Sequence, residues 1–172
     1  MCDAMVIGKT STRSAPTAWA TVALLTACAS APQPATPQVV SYLAKGERCR
    51  EVAELAGTAT AVKIQAQAGK IAAPSGAPPE SIVGYAIDED ATKLGFSHDE
   101  TRAFVKQICD APAYATAKWE ILRANLYSTV SCRLATAGTP VRPYATLTKR
   151  LQSCLDSPDE DAQRACAETE IK

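Results

Sequence analysis

The sequence has few of the residues that most often carry out chemistry. Among its 172 residues it has one histidine, His98, and aromatic residues make up only 5% of the chain. It contains no C-x-x-C pair, no G-x-S-x-G nucleophile motif and no glycine pattern typical of a Walker loop or a dinucleotide site. We therefore assign no catalytic residue, no metal ligand and no cofactor, and an enzyme is the least favoured class of function.

An excess of positive charge is also missing. The chain has 18 Lys plus Arg and 18 Asp plus Glu, so its formal net charge at pH 7 is zero. Proteins that bind nucleic acid or an anionic membrane surface by electrostatics usually carry a clear basic excess. We therefore expect no nucleic acid partner and no polybasic contact with a membrane.

The N-terminus does carry a specific pattern. Basic Lys9 and Arg13 precede an apolar segment, residues 15–25, which is too short to cross a bilayer. The segment ends in Leu25-Thr26-Ala27-Cys28, which resembles the lipobox of bacterial lipoproteins at all four positions. Translation from Met5 instead of Met1 would remove Asp3 and leave a conventional basic start to this leader.

The resemblance implies that residues 1–27 are a lipoprotein signal peptide. It further implies cleavage between Ala27 and Cys28, a diacylglycerol on the Cys28 sulfur and acylation of the new amine. Because Ala29 and not Asp follows the cysteine, the resemblance favours the outer membrane of a bacterial envelope, with the protein facing the periplasm. Two alternatives remain: cleavage after Ala31 by the ordinary signal peptidase, which would release a secreted protein, or an N-terminus that is simply a disordered leader.

A proline-rich stretch follows the lipobox. Residues 28–37 contain Pro32, Pro34 and Pro37 among small uncharged residues, a composition that favours extended polyproline II structure. At about 3.1 Å per residue it would form a tether of roughly 25 to 30 Å. Residues 38–172 are then enough for one domain with one core.

Five further cysteines lie in that domain: Cys49, Cys109, Cys132, Cys154 and Cys166. In an oxidising envelope they are expected to pair, whereas in a reducing compartment they would be ordinary core residues. The spacing disfavours a bond between Cys154 and Cys166. Cys154 lies about three residues before the turn and Cys166 about eight after it, so the two are offset from each other by several ångströms along an antiparallel hairpin. We predict Cys49 with Cys109 and Cys132 with Cys154, leaving Cys166 as the odd thiol.

The domain reads as helical throughout, with apolar residues recurring at three- and four-residue spacing and no alternating strand pattern. The predicted architecture is a compact all-α bundle of five or six helices, braced by disulfides. The first helix spans residues 38–67 with a bend at Gly57; Ser97 and Glu100 form a capping box. The longest amphipathic pattern places one stripe against the core, formed by Trp119, Leu122, Leu126, Val130 and Arg133.

The candidate chemistry is sparse. His98 could act with nearby carboxylates, namely Asp88, Glu89, Asp90 and Asp99, but we interpret it as part of a solvated helix N-terminus. Asp88-Glu89-Asp90 lacks the glycine and the closing acid of a calcium loop. The aromatic residues that could anchor an interface are Trp119, Tyr114, Tyr127 and Tyr144; we assign Trp119 to the core and Tyr144 to the surface.

We therefore predict a membrane-anchored periplasmic lipoprotein that binds, or structurally supports, another envelope protein. The alternatives are a periplasmic inhibitor or immunity protein against a cell-wall hydrolase, or a small-ligand binder. These alternatives rest on an analogy of architecture and not on a motif.

Overall fold

A computed structural model describes residues 41–71 and 76–172. This part of the chain contains six α-helices and no β-strand: α1 Cys49–Gln67, α2 Pro79–Lys93, α3 His98–Asp110, α4 Ala117–Thr136, α5 Tyr144–Leu155 and α6 Glu160–Ile171. The predicted all-α bundle with disulfide bracing is confirmed. The predicted signal peptide, the lipidated Cys28 and the tether of residues 28–37 lie outside the described residues.

Helix boundaries follow the local signals. The Ser97 hydroxyl accepts a hydrogen bond from the Glu100 amide, and the Ser97 amide donates to the Glu100 carboxylate at 2.7 Å. This capping box satisfies two backbone donors that the first turn of α3 leaves free. Pro79 occupies the first turn of α2. Gly95, which follows the C-cap residue Leu94, has a left-handed backbone conformation with φ of +79° and ends that helix.

The first helix begins later than predicted. Two 3₁₀ turns, Ser41–Leu43 and Gly46–Arg48, replace its expected N-terminal part, and α1 begins only at Cys49. Gly46 has φ of +62°, a backbone conformation that interrupts a helix. The apolar residues at helical spacing begin only at Cys49, so the prediction extended the helix beyond its pattern, and the first 3₁₀ turn buries Leu43 instead.

Helices α1 and α4 form the central antiparallel pair. Cys49 at the start of α1 is bonded to Cys132 near the end of α4, and Lys63 near the end of α1 contacts Glu120 near the start of α4. Between these points, a Cβ placed on Gly57 would lie 2.7 Å from Asn125 Oδ1. Gly57 therefore allows the two helices to approach closely, and α1 runs through it without the break that a bend would produce.

A chain of hydrogen bonds crosses the bundle beside this pair. The Tyr42 hydroxyl donates to Gln107 Oε1 at 2.7 Å, the Gln107 amide donates to the Tyr127 hydroxyl at 2.8 Å, and that hydroxyl donates to the Arg142 carbonyl at 2.9 Å. Burial raises the pKa of both tyrosine phenols above their ordinary value. Both phenols therefore stay neutral and act as hydrogen-bonding groups of the core.

The predicted disulfide pairing is wrong. The bonds join Cys49 to Cys132 and Cys154 to Cys166, with Cα atoms 5.5 Å apart in each case, and Cys109 is a free thiol. The first bond follows from the antiparallel packing of α1 on α4. The second was disfavoured because the two cysteines would be offset by several ångströms along a simple antiparallel hairpin. Instead α5 ends at Leu155, α6 begins only at Glu160, and α6 packs on α4 as well as on α5, so the geometry of such a hairpin does not apply.

Candidate protein-binding surface at the start of α4

Helix α4 is rotated away from the orientation that its apolar pattern predicts. Of the predicted inward stripe only Val130 is buried; Trp119 and Leu126 are half-buried, and Leu122 and Arg133 are exposed. The face that enters the core carries polar as well as apolar residues. Buried Glu120, Arg123, Ser128 and Ser131 lie among apolar core residues, namely Ala124, Tyr127, Val130, Cys132, Leu134 and Ala135. The prediction failed because apolar periodicity counts residue types and cannot detect buried polar groups that find partners elsewhere in the chain.

Two of these buried polar residues are charged, and a third charge faces them from α1. Lys63 and Glu120 form an ion pair at 3.0 Å, with side chains 1% and 3% exposed. Arg123, 2% exposed, has no carboxylate within ion-pair distance among the described residues. It instead donates to the Tyr144 hydroxyl at 3.2 Å and to the Pro112 carbonyl at 2.9 Å.

All three buried charges hold the connection between α3 and α4, residues 111–116. Lys63 Nζ donates to the Ala111 carbonyl at 2.5 Å, Arg123 donates to the Pro112 carbonyl, and the Tyr114 amide donates to Glu120 Oε2 at 2.9 Å. The Arg123 guanidinium also lies 5.4 Å from the centre of the Tyr114 ring. Buried side chains, and not a turn motif, therefore determine the conformation of this loop.

The loop and the first turns of α4 present an exposed apolar surface. Tyr114 is 38% exposed, Leu122 is 36% exposed and Trp119 is half-buried. We call these three residues, with the exposed Lys118 beside them, the α4 surface. Tyr114 and Leu122 are two of only three large hydrophobic residues that are exposed in the described part of the chain. Aromatic side chains on a rigid support are typical of the residues that anchor protein interfaces.

The other two aromatic candidates are core residues. Tyr127 and Tyr144 are each 1% exposed, and their ring centroids lie 4.9 Å apart. The prediction that Tyr144 lies on the surface is therefore wrong, because its hydroxyl accepts from buried Arg123 and its ring packs on Tyr127. Burial raises the pKa of the Tyr144 phenol, although the nearby Arg123 acts in the opposite direction.

The residues around His98 do not converge on a site. His98 Nδ1 lies 3.8 Å from Asp88 Oδ1, and the histidine side chain is 84% exposed. Glu89 and Asp90 pair with Lys93, which holds the pKa of the Glu89 carboxyl below its usual range. Asp99 faces Arg102. In the described part of the chain no three His, Cys, Asp or Glu side chains are arranged to hold a metal ion.

The free thiol of Cys109 is half-buried near the end of α3. Burial, with a smaller effect from Glu80, raises the pKa of the Cys109 thiol to about 11. A reactive cysteine requires the opposite shift. Cys109 therefore has the properties of a structural thiol.

Comparison with protein-family models, with curated protein sequences and with solved structures finds no match to the chain. None of the helices within the described ranges has the length and apolar character needed to cross a membrane. The sequence named Tyr114 and Trp119 as possible interface anchors, but it did not group them into one surface, because periodicity assigned Trp119 and Leu122 to the core. The absence of charge from residues 111–116, where Tyr114 lies, is a further signal in the sequence.

Proposed function

We propose that this protein is a membrane-anchored periplasmic lipoprotein that binds another envelope protein through the α4 surface. The proposal combines two independent lines of support. The lipobox resemblance at Cys28 and the proline-rich tether supply the anchor, and the exposed apolar residues at the start of α4 supply the contact. The single observation that carries the binding role is the exposure of Tyr114 and Leu122 on a loop and helix held by buried charges.

The buried charged residues beneath the α4 surface favour the binding of a partner protein. Burying Lys63, Glu120 and Arg123 costs desolvation energy that well-packed apolar residues would avoid. Here those side chains form hydrogen bonds with backbone groups of the 111–116 loop. These bonds offset part of the desolvation energy and hold the loop in one conformation. A loop that is ordered before binding loses less conformational entropy when a partner binds.

Charge indicates the chemistry of the partner. Helix α4 has four charged residues, and because Glu120 and Arg123 are buried, its exposed charges are Lys118 and Arg133. Both are positive, and the loop before the helix carries no charge. The best complement is a protein segment with apolar side chains for Tyr114 and Leu122 and a carboxylate for Lys118.

A photo-crosslinking amino acid at Leu122 of the full chain, expressed in a bacterial envelope, tests this role. We expect a discrete crosslinked protein from position 122 and none from the exposed position Lys149 on α5, which serves as the matched control. Lys118→Glu should reduce the yield at position 122 at least fivefold, because it repels the expected carboxylate. Crosslinks to lipid alone, equal products at both positions, or a yield that Lys118→Glu leaves unchanged would each contradict the proposal.

The anchor has a separate test. The intact mass of the mature protein should correspond to a chain that begins at Cys28 and carries three acyl chains. Cys28→Ser should release the protein from the membrane fraction, because one or more acyl chains supply the binding energy. A mature mass that begins at Pro32 would show that the protein is secreted and not lipidated.

A further inference from the structure

Helices α2 and α3 leave an open groove on the outside of the bundle. It has a volume of about 660 Å³ and is lined by residues at helical spacing on both sides: Glu80, Ser81, Gly84, Tyr85 and Asp88 from α2, and His98, Thr101, Arg102, Val105 and Lys106 from α3. The two helices run antiparallel, since Asp88 is next to His98 while a Cβ on Gly84 would lie 4.0 Å from Val105.

The two walls of this α2–α3 groove carry opposite charge. On the α2 side the charged residues are Glu80 and Asp88, and on the α3 side they are Arg102 and Lys106, with His98 at one end. Arg102 and Lys106 have carboxylate neighbours on their own helix, Asp99 and Asp110. Those pairs are solvent-exposed and therefore weak, which leaves the cations able to contact a second partner.

The floor between the walls is apolar and shallow. Gly84 has no side chain, and Thr101 and Val105 are buried beneath it. Tyr85 stands at the edge and is 90% exposed, the highest value of any large hydrophobic residue in the described chain. A groove with small residues at its centre and a protruding aromatic at its edge can both receive and supply a side chain.

We propose that the α2–α3 groove is the interface of a homodimer, in which α2 of each copy lies over α3 of the other. A two-fold axis along the groove produces this arrangement, and it completes an antiparallel four-helix bundle. Glu80 and Asp88 of one copy then face Lys106 and His98 of the second. Tyr85 lies at the level of Arg102 of the second copy, where its ring can stack on the guanidinium.

Charge complementarity is the reason for choosing a second copy as the occupant. When the two-fold axis runs along the groove, between its two walls, the acidic α2 wall of each copy faces the basic α3 wall of the other. The surface is then complementary to itself. A two-fold axis across the groove would instead place acid on acid and base on base, which is unfavourable. The zero net charge of the chain adds no long-range repulsion between copies.

The area of the α2–α3 groove determines how tightly two copies are expected to bind. Helix α2 has 15 residues and is therefore about 22 Å long, and two helices side by side are about 20 Å wide. The footprint is then about 450 Å² per copy, below the roughly 800 Å² per partner of a standard stable interface. We expect a weak dimer in solution. It is independent of the α4 surface and of the proposed partner.

A charge swap tests the proposal. One variant of the full chain carries Glu80→Lys and Asp88→Lys, and the other carries Arg102→Glu and Lys106→Glu. Sedimentation equilibrium in density-matched detergent should show a concentration-dependent dimer for the wild type and at least tenfold weaker association for each variant alone. An equimolar mixture should regain association, because the basic walls of one variant face the acidic walls of the other. Circular dichroism establishes that both variants are folded.

A variant outside the groove serves as the control for Tyr85. Tyr85→Ser should weaken the dimer at least tenfold, whereas Lys149→Ser, which shortens an exposed side chain of α5 outside the groove, should leave it unchanged. A wild-type chain that remains monomeric at 200 μM would overturn the proposal. So would a dimer that both folded charge variants retain, or variants whose mixture fails to associate.

Discussion

Lys63 on α1 and Glu120 on α4 form an ion pair of 3.0 Å inside the bundle, where both side chains are almost fully buried. The same two helices are joined at their other ends by the disulfide between Cys49 and Cys132. The central helix pair is therefore held by a covalent bond at one end and by opposite charges at the other. The charged end also fixes the 111–116 loop, which links the stability of the core to the α4 surface.

Removing one member of this ion pair should be costly. We expect Glu120→Gln to lower the free energy of unfolding by about 3 to 5 kcal/mol, because it leaves the Lys63 ammonium buried without a counter-charge. The double variant Lys63→Met/Glu120→Leu should recover only part of that loss, because it removes both charges but also leaves the Ala111 carbonyl and the Tyr114 amide without these partners. Urea denaturation measures both. The exposed pair of Arg50 and Glu54 is the control, since Glu54→Gln should cost less than about 1 kcal/mol.

The two disulfides should contribute unequally to the free energy of unfolding. The bond between Cys49 and Cys132 spans 83 residues and that between Cys154 and Cys166 spans 12. Loop-closure entropy then predicts losses of about 4.5 and 3 kcal/mol when each pair is replaced by alanine. Denaturation of the two double-alanine variants compares them. Equal losses, or a larger loss at the shorter loop, would show that chain entropy is not the main contribution.

Two helical glycines should respond differently to alanine. At Gly84 the nearest atom to an added Cβ is 4.0 Å away, so Gly84→Ala should stabilise the protein by about 1 kcal/mol through helix propensity. At Gly57 the added Cβ would lie 2.7 Å from Asn125 Oδ1, so the side chain of Asn125 must turn away. We expect Gly57→Ala to gain less or to destabilise, and Gly57→Ala/Asn125→Ala to be more stable than Gly57→Ala. Thermal denaturation at matched pH decides between these outcomes.

The Cys109 thiol should be slow to react. With its pKa raised to about 11 from the ordinary value of 9.0, its thiolate fraction at pH 8 is about 0.1% instead of about 10%. Alkylation by iodoacetamide, followed by intact mass, should be much slower in the folded protein than in urea and should accelerate up to about pH 11. A rate in the folded state equal to that in urea would contradict the raised pKa.

The same shift predicts a dependence of stability on pH. Because the folded protein holds the Cys109 proton more tightly than the unfolded chain does, the free energy of unfolding should fall as pH rises from about 9 to about 11. Cys109→Ala should remove that part of the slope, and denaturation curves of the two proteins across this pH range measure the difference. If Cys109→Ala leaves the pH dependence of the free energy of unfolding unchanged, other titrating groups are responsible for it.

The sequence predicted those features of the fold that depend on neighbouring residues. The capping box at Ser97, the proline at the start of α2 and a bundle of five or six helices, of which six are observed, follow from interactions within one or two turns. It failed at the first helix because the left-handed conformation of Gly46, which lets the chain pack Leu43 into the core, is decided by tertiary contacts.

By itself, then, the sequence determined an all-α domain, the main positions of its helices and the resemblance of its leader to a lipoprotein signal. Only the tertiary structure decided the pairing of Cys49 with Cys132 and of Cys154 with Cys166, and the rotation that buries Glu120 and Arg123 while exposing Leu122. The physical reason is that helix formation is governed by local hydrogen bonds and periodicity. Cysteine pairing and helix rotation depend on which distant groups meet in the folded core.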